Sequence, residues 1–173
     1  MDHADFVTLL RDGVVPGEWA DLGSGAGAFT LALADLLGPG ARIHSIDRDG
    51  GALRRQRESF ERQFPQVAVD YRHADFTRPL DLPPLDGVVM ANSLHFVRDK
   101  PPVLARIRDL LKPGGRMLLV EYATDLGNPW VPHPLTYPTW ERLAAICGFG
   151  GTRMLATVPS RYFGAIYSAL SFR

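Results

Sequence analysis

The sequence has only one cysteine, Cys147, so the chain cannot form a disulfide within itself. It has no excess of charge, because 19 Lys and Arg residues balance 19 Asp and Glu residues. The basic composition typical of nucleic-acid-binding domains is therefore absent. No apolar run approaches the roughly 18 residues of a membrane-spanning helix, and the acidic segment Met1–Asp5 is unlike a signal peptide. We expect a soluble domain in the reducing cytoplasm.

The length and apolar content limit the number of domains. A hydrophobic fraction of 46% in 173 residues is enough for one domain with a core, but not for two ordinary domains. Short apolar strands alternate with segments whose apolar residues recur at helical spacing. This alternation is typical of an α/β fold built on a parallel sheet.

A glycine-rich loop follows the first predicted strand, Glu18–Leu22, and precedes a helix. That arrangement brings bare backbone close to a phosphate, a carboxylate or a nucleoside. Two patterns fit the loop. Gly23, Gly25 and Ala28 fit the dinucleotide pattern G-x-G-x-x-G/A, and the same stretch preceded by Asp21 fits Asp-x-Gly-x-Gly-x-Gly. A phosphate-binding P-loop is excluded, because no Gly-Lys-Ser/Thr follows.

Polar residues also stand where later strands end. Asp47 closes the second strand about 20 residues past the loop, where an acid that binds ribose hydroxyls is expected. Asp75 and Phe76 follow the third strand, and the stretch Asn92–Phe96 follows the apolar fourth strand. The next helix is expected to be capped by Asp99, with Pro101 and Pro102 in its first turn. A Lys-Pro-Gly-Gly turn, Lys112–Gly115, then ends the helix, and a fifth strand, Arg116–Tyr122, follows.

In this order, the features resemble the class I S-adenosylmethionine-dependent methyltransferases that act on small molecules. The Asp-x-Gly-x-Gly-x-Gly stretch resembles their motif I, and Asn92–Phe96 resembles motif IV. Leu110–Glu121 resembles the helix–turn–strand that follows motif IV. The chain lacks the Asn/Asp-Pro-Pro-aromatic signature, which argues against methylation of amino groups in DNA or in protein glutamine. The resemblance extends from about Glu18 to Arg173.

The resemblance implies an α/β fold, a Rossmann-like three-layer αβα sandwich. Its seven-stranded sheet is mostly parallel, with an antiparallel last strand. We expect a single domain over residues 1–173. It would comprise an N-terminal helix or lid at 1–15, a cofactor-binding core at 16–122, a substrate loop at 123–138, and a C-terminal helix with a strand pair at 139–173.

The resemblance also implies S-adenosylmethionine as the cofactor and S-adenosylhomocysteine as its product. Backbone in the glycine loop would hold the methionine part, Asp47 the ribose, and Asp75 with Phe76 the adenine. Asn92 and Ser93 would border the transferred methyl group. The expected cofactor-binding residues are Asp21, Gly23, Ser24, Gly25, Gly27, Asp47, Arg48, Asp75, Phe76, Asn92 and Ser93.

The chemistry expected is direct displacement at the methyl carbon. A base is needed only if the acceptor carries a proton that must leave. His95 is the catalytic candidate, because it follows the fourth strand and histidine titrates near neutrality; a structural histidine is the alternative. Tyr122, Trp130 and His133 are candidates for acceptor contact or for packing. The remaining histidines have no partners at metal-ligand spacing, so we predict no metal.

The expected partner is a small-molecule acceptor, and we expect binding to neither nucleic acid nor membrane. The sequence leaves open whether the chain forms a homodimer. The arginines between Arg54 and Arg62 fit a solvated helix face. Two alternative functions remain at this point. One is a non-catalytic protein that binds S-adenosylmethionine or S-adenosylhomocysteine. The other is an NAD-binding Rossmann oxidoreductase, although such an enzyme usually needs a second domain or a longer catalytic segment.

Overall fold

The computed structural model describes residues 1–173 and shows strands and helices alternating along the chain. The α-helices are α1 (His3–Leu10), α2 (Ala28–Leu37), α3 (Gly50–Gln63), α4 (Pro101–Leu110) and α5 (Tyr137–Ile146). The strands are β1 (Glu18–Leu22), β2 (Arg42–Asp47), β3 (Ala68–His73), β4 (Leu85–Ala91), β5 (Leu111–Tyr122), β6 (Gly150–Ser160) and β7 (Gly164–Phe172). A short 3₁₀ helix, Leu94–Phe96, follows β4.

The strands form one seven-stranded sheet in the order β3-β2-β1-β4-β5-β7-β6. Strands β1 to β5 pair in parallel, whereas β7 runs antiparallel to both β5 and β6. The predicted fold class is confirmed, including the antiparallel last strand. The strand order reverses direction between β1 and β4, and in open parallel sheets ligands bind at the carboxyl ends of strands beside such a point.

Two apolar cores cover the two faces of the sheet. Along β4, Val88 and Met90 pack with residues of α4 and α5, whereas Val89 packs with residues of α1 and α2. This alternation is the period of two that a strand buried on both faces requires. Burial of each such side chain contributes about 1.5–3 kcal/mol. The packing therefore fixes the strands, and with them the edge of the sheet where their carboxyl ends meet.

Helix α1 covers the sheet from the side of α2. Its residues Val7, Leu9 and Leu10 are buried, and the rings of Phe6 and Phe29 lie 4.8 Å apart. A capping box formed by Asp2 starts the helix. None of the helices is both long enough and apolar enough to cross a lipid bilayer.

Two local predictions need correction. We expected Asp99 to cap α4, but the N-cap is Lys100 and no side chain caps this helix. The reason is that Pro101 and Pro102 occupy the first turn and have no N–H groups that could donate to a capping side chain. The Lys112–Gly115 turn was expected to precede the fifth strand, yet β5 already begins at Leu111, across a register shift in its pairing with β4.

Candidate active site

The glycine loop leaves the carboxyl end of β1 and crosses to β2. The N–H groups of Gly23 and Ser24 donate to the carbonyl oxygen of Ile46, at 2.8 and 3.1 Å. Gly23 has a φ of 80°, and a Cβ atom at this position would lie 2.5 Å from Cβ of Ser93. Only glycine fits here without displacing Ser93, which lies just past β4.

A first cavity of about 240 Å³ lies beside this loop, at the carboxyl ends of four parallel strands. Its lining residues follow β1, β2, β3 and β4: Gly23, Asp47, Arg48, Ala74, Asp75, Phe76, Thr77, Asn92, Ser93, Phe96 and Val97. Seven of the residues expected to bind the cofactor are among them: Gly23, Asp47, Arg48, Asp75, Phe76, Asn92 and Ser93. The other four, Asp21, Ser24, Gly25 and Gly27, do not line this cavity.

Both carboxylate oxygens of Asp47 are held by backbone N–H groups, one of them in the glycine loop. Oδ2 accepts a hydrogen bond from the N–H of Gly25 at 2.7 Å, and Oδ1 accepts one from the N–H of Asp49 at 2.7 Å. Each carboxylate oxygen has a further lone pair. The carboxylate is therefore held in place and still has acceptor capacity facing the cavity, as a ligand with two neighbouring hydroxyls requires.

Asp75 presents a second oriented carboxylate. Its Oδ1 accepts hydrogen bonds from the N–H and the hydroxyl of Thr77, at 2.9 and 2.7 Å, and these bonds lower the pKa of the carboxyl. Its Oδ2 makes no hydrogen bond within the protein. The ring of Phe76 approaches the loop closely, since its Cε1 would lie 3.3 Å from a Cβ at Gly23. An ionised acceptor beside an aromatic ring fits the amino group and ring of adenine.

A buried polar network supports the loop from beneath. Asp21 accepts a 2.6 Å hydrogen bond from the hydroxyl of Thr30, which in turn accepts one from the amide of Gln56 at 2.6 Å. The hydroxyl of Ser24 donates to Gln56 at 3.4 Å. Burial raises the pKa of Asp21 to about 7, the bond from Thr30 opposes that rise, and the other oxygen, Oδ1, has no partner. The side chains of Asp21 and Ser24 thus belong to the network under the loop, and Gly27 is the N-cap residue of α2.

A second cavity of about 550 Å³ adjoins the first and shares Asn92 and Phe96 with it. Its lining is largely aromatic: Asn92, His95, Phe96, Tyr122, Asn128, Trp130, Val131, Tyr162 and Phe163. It has no Lys, Arg, Asp or Glu in its wall. The predicted acceptor contacts Tyr122 and Trp130 lie here, whereas His133 does not.

His95 and Glu121 form a buried pair at the wall of the second cavity. Nδ1 of His95 lies 2.9 and 3.0 Å from the two oxygens of Glu121, and both side chains are almost fully buried. A carboxylate only accepts hydrogen bonds, so Nδ1 carries the proton and Nε2 is left as an acceptor. Nε2 makes no hydrogen bond within the protein. The N–H of Tyr122 donates to Glu121 at 2.8 Å and fixes the carboxylate.

Glu121 was not among the expected site residues. It is the penultimate residue of β5, and the parallel pairing of β4 with β5 brings it beside the 3₁₀ helix that follows β4. The signal in the sequence was an acid at the end of an otherwise apolar strand, one strand away from His95.

Asn92 stands at the junction of the two cavities and carries backbone strain. Its φ is 51°, in the left-handed region, and its Oδ1 is buried without a hydrogen-bond partner. Such outliers cost about 1–3 kcal/mol and cluster at functional sites. Asn92 lines both cavities and so stands between the cofactor side and the acceptor side of the proposed site.

The likeness to known proteins agrees with this geometry. The family described as "Methyltransferase domain" matches residues 20–117, more than half of the chain. The ubiquinone/menaquinone biosynthesis C-methyltransferase UbiE of Pasteurella multocida is 32% identical over 111 residues, which cover 63% of this chain and 41% of that protein. The highly reducing polyketide synthase aurA of Calcarisporium arbuscula is 27% identical over 189 residues, covering 88% of this chain and 7% of that protein.

Among solved structures, the CurJ carbon methyltransferase superposes with a TM-score of 0.74 at 18% identity, covering 91% of this chain and 48% of that one. This likeness shows the fold. The chain spans less than half the length of each of these curated relatives. The motif order, the sheet and the family match lead to one assignment: the chain belongs to the class I S-adenosylmethionine-dependent methyltransferases.

Proposed function

We propose that this domain transfers a methyl group from S-adenosylmethionine to a carbon atom of a small-molecule acceptor. The observation that carries the proposal is the buried His95–Glu121 pair in the wall of the second cavity, next to the cavity that fits the cofactor. A carbon acceptor must lose a proton to accept a methyl group, and a histidine held by a carboxylate is suited to remove it.

The first cavity holds the cofactor in this proposal. The carboxylate of Asp47 accepts from the ribose hydroxyls, Oδ2 of Asp75 accepts from the adenine amine, and Phe76 packs on the adenine ring. The loop that starts at Gly23 presents bare backbone to the methionine part. When bound, S-adenosylmethionine supplies an electrophilic methyl carbon on a sulfonium, so the protein needs only to position the acceptor and move its proton.

His95 is the proposed base. Its Nε2 takes the acidic proton of the acceptor, either from a carbon between two carbonyl groups or from a phenol hydroxyl. The electron pair of the resulting enolate or phenolate forms the carbon–methyl bond as the methyl–sulfur bond breaks, and a phenol ring then releases the proton of the methylated carbon to water. The imidazolium that results is stabilised by Glu121, which also fixes the tautomer. Glu121 acts through His95 and is a positioning residue.

The acceptor class follows from the second cavity and from the relatives. A wall of five aromatic side chains without Lys, Arg, Asp or Glu suits a neutral, flat or apolar molecule. Two of the similar proteins are named for carbon methylation, and a third is a polyketide synthase. These features support a small molecule with an acidic hydrogen and a nucleophilic carbon, such as a phenol or a 1,3-dicarbonyl compound, over a nucleic acid.

The test uses radiolabelled S-adenosylmethionine and a panel of phenols and 1,3-dicarbonyl compounds. We expect NMR of the product to show the new methyl group on carbon. His95→Gln should lower kcat by about 10²–10⁴-fold, and Glu121→Gln by about 10–100-fold, while S-adenosylhomocysteine affinity stays unchanged. Unchanged turnover and pH profile in His95→Gln would show that the base assignment is wrong. Cofactor binding without transfer to any compound would favour a non-catalytic binding protein.

A further inference from the structure

We propose that Asn128 is a catalytic hydrogen-bond donor. Its Nδ2 binds the carbonyl or phenol oxygen of the acceptor, which is bonded to the carbon next to the methylated one. This inference rests on the proposed carbon methylation and adds a residue to its machinery. When His95 removes the acidic proton, from a carbon beside a carbonyl group or from a phenol hydroxyl, negative charge accumulates on that oxygen. A donor held in place where the charge develops stabilises the transition state.

The loop that carries Asn128 is fixed to the helix that carries His95. The N–H of His133 donates to the carbonyl oxygen of His95 at 3.0 Å. The ammonium of Lys100 donates to the carbonyl oxygens of Val97 and His133, at 2.8 Å each. Burial lowers the pKa of Lys100, and the neighbouring Glu121 opposes that effect. Two hydrogen bonds, both at His133, therefore join the loop to the segment that carries the base, and the bond to Val97 holds Lys100 in place between them.

The amide of Asn128 has one orientation in this loop. Its Oδ1 accepts hydrogen bonds from the N–H groups of Trp130 and Val131, at 2.9 Å each. The N–H of Asn128 itself donates to the carbonyl oxygen of Val131 at 3.0 Å, which closes the turn. Because two N–H groups meet the same side-chain atom, that atom must be the oxygen. Nδ2 therefore occupies the other position of the amide, and it has no partner within the protein.

Asn128 lines the second cavity together with His95. Besides His95, four other side chains in that wall have donor groups: the amide of Asn92, the indole of Trp130 and the hydroxyls of Tyr122 and Tyr162. None of these groups makes a hydrogen bond within the protein that would fix its direction, and burial raises the pKa of Tyr122. Asn128 is the donor whose direction is set before any ligand arrives, which is the condition for electrostatic preorganisation.

Two substitutions separate the donor role from the turn. Asn128→Asp keeps the oxygen that accepts from Trp130 and Val131 but replaces the donor with a second acceptor. Asn128→Ala removes both. If Asn128 served only the turn, Asn128→Asp would behave as the wild type and Asn128→Ala would be impaired. The donor role predicts that Asn128→Asp loses at least as much affinity for a phenolate ligand as Asn128→Ala does.

The probe is 4-nitrophenol, which ionises near neutral pH with a change of colour and mimics an acceptor with charge on oxygen. It is titrated into protein saturated with S-adenosylhomocysteine, with nitrobenzene as the matched ligand that lacks the oxygen. We expect Asn128→Asp to bind the phenolate about tenfold or more weakly, the loss of one charge-assisted hydrogen bond. Nitrobenzene affinity should stay unchanged.

Three results would overturn the inference: wild-type phenolate affinity in Asn128→Asp, an equal loss for phenolate and nitrobenzene, or no saturable phenolate binding by the wild type. Affinity for S-adenosylhomocysteine is measured on the same samples. If the wild type does not bind S-adenosylhomocysteine, the proposed function itself is wrong. Failure of the proposed function and failure of the Asn128 inference are therefore distinguishable.

Discussion

The carboxylate of Asp47 and the N–H of Gly25 are joined by a 2.7 Å hydrogen bond that links the end of β2 to the glycine loop after β1. The two residues are 22 positions apart and belong to neighbouring parallel strands. This bond holds the loop open beside the first cavity while the carboxylate keeps lone pairs for a ligand. The shape of the loop and the proposed binding of ribose therefore depend on one side chain.

Replacement of Asp47 by alanine should weaken binding of S-adenosylhomocysteine about tenfold to hundredfold, because hydrogen bonds to one charged group are lost. Calorimetric titration measures the change. The matched control is Asp70→Ala, which removes an acid from the adjacent strand β3 that pairs with Arg72 and His44. Equal affinity in Asp47→Ala and the wild type would contradict the ribose assignment.

The buried carboxyl of Asp21 predicts an unusual dependence of stability on pH. Its pKa is raised from 3.8 to about 7 in the folded protein. Between these values the native state keeps a proton that the unfolded chain has lost, so this group makes the free energy of unfolding fall as pH rises. The loss is complete above about pH 7 and amounts to at most about 4 kcal/mol.

Asp21→Asn keeps the oxygen that accepts from Thr30 and removes the charge. We expect the variant to be more stable than the wild type at pH 8, with the difference vanishing near pH 4. Urea unfolding at both pH values measures the difference, and contributions from other groups cancel in it. A variant that is less stable at pH 8 would show that the ionised carboxylate stabilises the loop.

A methyl group added at Gly23 should close the site. Gly23→Ala places a Cβ atom 2.5 Å from Ser93 at a φ of 80°. Gly114, with a φ of 74° and open space around it, is the matched control. Both substitutions should cost about 1–2 kcal/mol from the left-handed backbone, but only Gly23→Ala should also abolish S-adenosylhomocysteine binding. Retained binding in Gly23→Ala would place the cofactor elsewhere.

Trp130 should contribute to acceptor binding and little to stability. Its side chain is 78% exposed yet lines the second cavity. Leu126, at 80% exposure in the same loop, does not line it and is the control. We expect Trp130→Ala to weaken nitrobenzene binding about tenfold, while the free energy of unfolding changes by less than about 0.5 kcal/mol. Equal effects of the two substitutions would remove Trp130 from the acceptor site.

The parts of the site set by local sequence were predictable. Asp47 closes β2, Asp75 and Asn92 stand just after β3 and β4, and parallel strands bring their carboxyl ends to one edge of the sheet. The glycine loop alone allowed a dinucleotide or a methyltransferase interpretation, and the family match decides for the second. Binding roles for the individual residues stay predictions.

The parts that depend on pairing across the chain were not predictable. Glu121 meets His95 only because β5 lies beside β4, and no spacing in the sequence encodes that contact. The orientation of Asn128 depends on a turn within a loop that has no periodic pattern. Asp99 failed as a helix cap because the two prolines after Lys100 removed the N–H groups that a cap requires.

Calorimetric titration of the purified chain with S-adenosylmethionine, S-adenosylhomocysteine and NAD, in parallel, tests the central claim that the first cavity is a methyltransferase cofactor site. We predict micromolar binding of the first two ligands, weakened in Asp47→Ala, and no binding of NAD. Binding of NAD alone, or binding of S-adenosylmethionine that Asp47→Ala leaves unchanged, would contradict it.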